Sequence, residues 1–120
     1  MAAGFPSPAQ DYGGTKLDLN EHLIKDPTST FLLRVQGTSM IKAGIFDGDE
    51  VIVDRSLEPK NNDVIVAILD GEFTIKRLII DNNSTIHLHA ENPNFPDIQI
   101  PELSELRCWG VVTRCLHKLR

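Results

Sequence analysis

Residues 63–80 read DVIVAILDGEFTIKRLII, and the fold turns on this stretch. Every position from Val64 to Leu69 is apolar, the pattern of a strand covered on both faces. Asp70-Gly71 then supplies two residues that accept the positive φ angles of a two-residue type I′ turn. Residues 72–80 return as the partner strand. Alternation in that strand places Glu72, Thr74, Lys76, Leu78 and Ile80 on one face, with Phe73, Ile75, Arg77 and Ile79 on the other. Apolar side chains occur on both, so each face is expected to be partly covered.

Working upstream, residues 50–54 (EVIVD) form a further strand, entered through the turn Asp47-Gly48-Asp49, and residues 31–35 another. Between residues 17 and 24 the apolar positions suit one short helix, with Asp18 as its cap and Glu21 three residues on. Asp26-Pro27 ends it. Downstream, residues 85–89 and 106–116 read as strands, the last with an interruption at Gly110. Residues 92–101 hold three prolines and read as a loop. Residues 1–16 carry Pro6, Pro8, Gly13 and Gly14 without a sustained apolar period, and read as an extended N-terminal arm. The expected class is mainly β: a single compact barrel-like or folded-sheet domain over residues 17–120, with one short helix.

Composition excludes several functions. The chain has 120 residues, 41% of them hydrophobic, which supports one modest core. Twelve Lys and Arg against seventeen Asp and Glu leave a net charge of −5. Gripping nucleic acid requires a concentrated basic face, so direct nucleic-acid binding is not expected. The longest apolar run, VIVAIL at 64–69, is too short to span a membrane, and the first residues lack the pattern of a signal peptide. The expected location is cytoplasmic. Cys108 and Cys115 are an odd number of residues apart, on opposite faces of one strand, and are read as two free thiols. His87 and His89 share a strand face, but no further ligand has recognisable spacing, so no metal and no cofactor are expected. Trp109 is read as core or dimer interface.

Two residues stand out chemically. Ser39 sits in Gly37-Thr38-Ser39-Met40, just after a strand, where the glycine lets the backbone bend and a second chain approach. Most serines beside a turn glycine are only turn residues. Lys76 lies mid-strand; desolvated there, its pKa would fall, and a neutral lysine is a competent base for a serine hydroxyl. A snorkelling lysine at a sheet edge has the same pattern.

Together these segments resemble a known family. Gly37-Thr38-Ser39-Met40, Gly48-Asp49-Glu50-Val51-Ile52-Val53-Asp54 and Asp70-Gly71-Glu72-Phe73-Thr74-Ile75-Lys76-Arg77-Leu78 are similar to the LexA/UmuD-like self-cleaving Ser-Lys peptidases. The likeness is greatest to the UmuD-like members, accessory subunits of translesion DNA polymerases. Gly4-Phe5-Pro6-Ser7-Pro8-Ala9-Gln10-Asp11-Tyr12 resembles the segment after their self-cleavage bond, and Trp109-Gly110-Val111-Val112 falls in family order. The resemblance implies Ser39 as nucleophile, Lys76 as general base, and the main-chain amides of Thr38 and Ser39 as the oxyanion hole. It places the cleaved bond at Ala3-Gly4. With only Met1 to Ala3 ahead of that bond, the chain is expected to be either essentially a processed form or a member with a curtailed arm, and in both cases self-cleavage is expected to be vestigial. The implied partners are a second copy of the chain, a UmuC-like Y-family polymerase and a RecA–DNA filament, in the SOS response to DNA damage. The alternative is the isolated peptidase domain of a LexA-like or phage-type repressor; residues 1–30 cannot supply a helix-turn-helix.

Overall fold

The computed structural model describes residues 16–82, 85–101 and 105–120. The Ala3-Gly4 bond and nearly all of the expected arm lie outside the described residues. Within them, β1 (Thr30–Arg34), β2 (Glu50–Asp54), β3 (Val64–Leu69), β4 (Glu72–Ile80), β5 (Ile86–His89), β6 (Ile98–Ile100) and β7 (Cys108–Leu116) form one sheet. Its spatial order is β1-β2-β7-β3-β4-β5-β6, with every neighbouring pair antiparallel. The mainly β class is borne out.

The β3–β4 hairpin closes as the sequence requires. Leu69 pairs with Glu72, and the turn residues Asp70 and Gly71 have φ of 51° and 80°. Both faces of β3 are buried. Ile65 and Ala67 join Leu78, Ile86, Leu88, Ile100 and Val111 in one core. Val66 joins Val35, Met40, Ile45, Val51 and Val53 in a second. The unbroken apolar run of β3 therefore reflects a strand between two cores.

The last strand differs from expectation in detail. It does not break at Gly110. Instead β7 skips a residue against each neighbour: Thr113 where it pairs with β2, and Trp109 where it pairs with β3. Each bulge adds one unpaired residue to β7 against that partner and bends the strand locally. Gly110 lies between them because β2 crosses close by; a Cβ at this position would sit 2.5 Å from Cγ1 of Val53.

The proline-rich segment 92–101 is not loop throughout. Ile98–Ile100 forms the edge strand β6, with Ile100 paired to Ile86 and buried. Pro96 and Pro101 flank it, and an edge strand tolerates neighbours that cannot donate to a ladder. The one α-helix among the described residues, α1 (Leu19–Leu23), starts where Asp18 accepts a hydrogen bond from the Asn20 amide at 3.0 Å. Asp26 does more than end it. Its carboxylate accepts from the Thr28 amide and caps a short 3-10 turn at Pro27–Ser29. Cys108 and Cys115 are both free and pack with opposite cores.

Candidate active site

Ser39 stands on a turn held from several sides. Beyond β1, the Val35 amide donates to the Asp49 carbonyl at 2.8 Å, which ends the strand against the 46–49 turn. Gly37 has φ of 93°, in the left-handed region that favours glycine, and its amide donates to Asp47 Oδ1 at 2.8 Å. Met40, 2% exposed, anchors the far side of the turn in a core. A 3-10 turn at Ile41–Ala43 follows, with the Ala43 amide donating to the Met40 carbonyl at 3.0 Å. A buried Met40 next to an exposed Thr38 leaves Ser39 half-buried.

Lys76 comes to Ser39 from β4. This strand lies between β3 and β5, so the lysine is not at a sheet edge. It pairs in register with Ile65 and is only 8% exposed. Its Nζ lies 3.3 Å from Ser39 Oγ, 2.7 Å from Thr74 Oγ1 and 3.2 Å from the Ile75 carbonyl oxygen. Burial pushes its pKa below the usual 10.5. Among the described residues no carboxylate pairs with Lys76, so nothing of opposite charge offsets the desolvation.

A cavity of about 270 Å³ lies beside Ser39, lined also by Leu33, Gln36 and Gly37 and by Phe73, Thr74 and Ile75 of β4; Lys76 itself does not line it. Among the described residues neither the Thr38 nor the Ser39 amide N–H donates to another protein group. The Thr38 carbonyl, by contrast, accepts from Asn92 Nδ2 at 2.8 Å.

Ser39 and Lys76, 37 positions apart in sequence, are thus brought together, with Thr38 adjacent. Ala3 and Gly4 lie outside the described residues. Three neighbours escaped sequence reasoning: Thr74, Asp47 and Asn92. Thr74 had a signal, since alternation puts it on the Lys76 face two positions away. Asp47 and Asn92 reach the turn only through tertiary contacts. The histidines set aside as ligands have other partners: His89 Nδ1 is 2.6 Å from Asp97 Oδ1, and His87 Nε2 is 3.4 Å from Asp81 Oδ2. Among the described residues no group of three or more His, Cys, Asp or Glu is placed to hold a metal, and no helix is long and apolar enough to cross a membrane. Trp109 packs against Phe31 and Phe73, with ring centroids 5.2 and 4.9 Å away, under the Arg55 guanidinium.

The Peptidase S24-like family model matches residues 1–113. Protein ImpA of Escherichia coli is 42% identical over 98% of this chain and 79% of its own length. Protein SamA of Salmonella typhimurium is 45% identical over 98% of this chain and 81% of its own length. A LexA repressor, from Magnetococcus marinus, is 40% identical over 93% of this chain but only 47% of its own length. With a family match along almost all of its length and two UmuD-like SOS mutagenesis proteins among its relatives, the chain belongs to the Peptidase S24-like family, on its UmuD-like side.

Proposed function

We propose that this chain is a UmuD-like accessory subunit of an error-prone translesion polymerase, switched by self-cleavage through a Ser39–Lys76 dyad. The observation that carries the reading is the 3.3 Å approach of a buried Lys76 amine to the Ser39 hydroxyl. Neutral Lys76 takes the Ser39 proton, and Oγ attacks the Ala3 carbonyl carbon. The resulting oxyanion is held by the amides of Thr38 and Ser39. Collapse breaks the Ala3-Gly4 bond, and the Lys76 ammonium returns its proton to the Gly4 amine as it leaves. Water, deprotonated by the same lysine, then resolves the acyl-enzyme. No third residue is needed, because an amine has no tautomer to fix. The groove beside Ser39 accepts the arm in extended form, lying between the end of β1 and β4.

The remaining parts of this reading rest on kinship. The active species is a homodimer in the cytoplasm, its catalytic partner is a UmuC-like Y-family polymerase, and a RecA–DNA filament promotes the cleavage. The extended arm over residues 1–16 and the peptidase domain over 17–120 are the two units of that switch. Its test is direct. A leader is fused ahead of Met1, the protein is held at pH 7 to 10.5, and cleavage before Gly4 is followed by intact mass. Cleavage should accelerate with pH as Lys76 loses its proton, and Ser39→Ala should abolish it. A silent wild type, or equal cleavage in Ser39→Ala, overturns the dyad. Co-purification with a UmuC-like polymerase tests the accessory role; failure to bind would favour the peptidase domain of a LexA-like repressor.

A further inference from the structure

We propose that Asn92 is a positioning residue for the oxyanion hole, acting through the peptide that joins Thr38 to Ser39. The inference rests on the Ser39 chemistry proposed above. The carbonyl of Thr38 and the amide N–H of Ser39 belong to one planar peptide unit, and in a trans peptide they point in opposite directions. Whatever holds the carbonyl therefore aims the N–H.

The carbonyl is held mainly by one side chain. Asn92 Nδ2 donates to Thr38 O at 2.8 Å, whereas the Ile41 amide approaches the same oxygen only at 3.4 Å. Packing does not hold this peptide. Thr38 is exposed, and no atom lies within 4 Å of where a Cβ on Gly37 would stand. Without Asn92 only the long Ile41 contact restrains this peptide against rotation about ψ of Thr38 and φ of Ser39, and the N–H turns with it.

Asn92 is itself fixed. It is 5% exposed, and its Oδ1 accepts from the Asn94 amide at 3.0 Å. That bond settles which end of the carboxamide is oxygen, leaving the NH2 to face Thr38. The preceding residue clamps the other side of the turn: the Glu91 carbonyl accepts from the Lys42 amide at 2.8 Å, and the Glu91 amide donates to Met40 Sδ at 3.4 Å. Residues 91 and 92 thus grip the nucleophile turn on both sides of Ser39, and of the two only Asn92 bonds to the Thr38–Ser39 peptide, whose N–H the proposed mechanism uses. Asn92 makes no hydrogen bond to Ser39 Oγ or Lys76 Nζ, so its effect is on charge stabilisation and not on proton transfer.

The test is Asn92→Asp in the leader-fused full chain. The aspartate keeps the oxygen that accepts from Asn94 and replaces the NH2 donor with a second oxygen that repels the Thr38 carbonyl. Self-cleavage should fall roughly 10- to 100-fold at every pH, since misaiming one oxyanion donor is worth up to the loss of that donor. In Asn92→Ser, which adds no charge, the pH midpoint should not move, whereas the aspartate carboxylate should raise it by favouring the Lys76 ammonium. Capture of a peptide aldehyde by Ser39, which forms the same tetrahedral oxyanion, should weaken in parallel. Binding of the uncleaved peptide to Ser39→Ala with and without Asn92→Asp should be equal. If the aspartate unfolds the chain, Asn92→Ser, too short to reach Thr38, carries the same expected loss of cleavage. Undiminished cleavage in a folded variant overturns the positioning role while leaving the dyad intact. So does a shifted pH midpoint in the uncharged Asn92→Ser, which would place the effect on Lys76. A wild type that never cleaves overturns the dyad reading, and this inference with it.

Discussion

A neutral amine has two N–H donors and one lone pair, and the groups around Lys76 Nζ match that inventory. In the neutral form that the proposed mechanism uses, Thr74 Oγ1 at 2.7 Å and the Ile75 carbonyl at 3.2 Å take the two hydrogens and the lone pair faces the Ser39 hydroxyl at 3.3 Å; the ammonium donates to all three. The burial that would ready Lys76 as the proposed base has a cost in stability with a definite sign. Folding lowers the Lys76 pKa below 10.5, so the native state disfavours its proton. The penalty is fully present below the folded pKa and is relieved as pH rises toward the unfolded value. Lys76→Met should therefore abolish self-cleavage yet be more stable than wild type at pH 7. Urea melts should show that gap narrowing by pH 10; a gap constant with pH would mean that Lys76 titrates normally. Ser39 and Lys76 were legible in the sequence because a turn glycine and strand alternation are local signals. Asp47 and Asn92 were not: each reaches the nucleophile turn from elsewhere in the chain, Asn92 across 54 positions.

Among the elements, β7 departs furthest from the local sequence pattern. Its two bulges depend on the partners it meets, β2 on one side and β3 on the other, and no property of residues 108–116 alone announces them. On sequence alone Gly110 reads as an interruption within the strand. It marks a close approach instead. Val53 is fully buried and has nowhere to retreat, so Gly110→Ala should destabilise the chain by about 1–3 kcal/mol through overpacking. Urea denaturation measures it, and the double variant Gly110→Ala with Val53→Ala should recover part of the loss. No recovery would place the strain elsewhere. The hairpin of β3 and β4, by contrast, was legible end to end, because its turn chemistry and its doubly buried strand are encoded within eighteen consecutive residues, 63–80. The strand β6 escaped because three residues between prolines carry too little periodicity to register.

Over the whole molecule, the two cores meet only across the sheet, and the candidate site spans both. Ser39 precedes Met40, which is buried with Val51 and Val53; Lys76 is paired with Ile65, which is buried with Leu78 and Ile86. The dyad can keep its geometry only if the two halves fold as one unit. The shared strands make that expectation concrete, since β3 and β7 each send side chains into both cores: Ile65 and Val111 into one, Val66 and Val112 into the other. Ile86 and Trp109 allow a test. Ile86 is fully buried in the first core, and Trp109, the single tryptophan, packs against the second. Ile86→Ala leaves a cavity and should cost about 2–5 kcal/mol. If the sheet couples the cores, urea transitions followed by Trp109 fluorescence and by far-ultraviolet circular dichroism shift together and by the same free energy. If the halves are independent, the dichroism transition splits while the Trp109 signal stays at its wild-type midpoint. In that case self-cleavage should fail in urea before Trp109 reports any unfolding, because Lys76 leaves with the first core while Ser39 remains with the second.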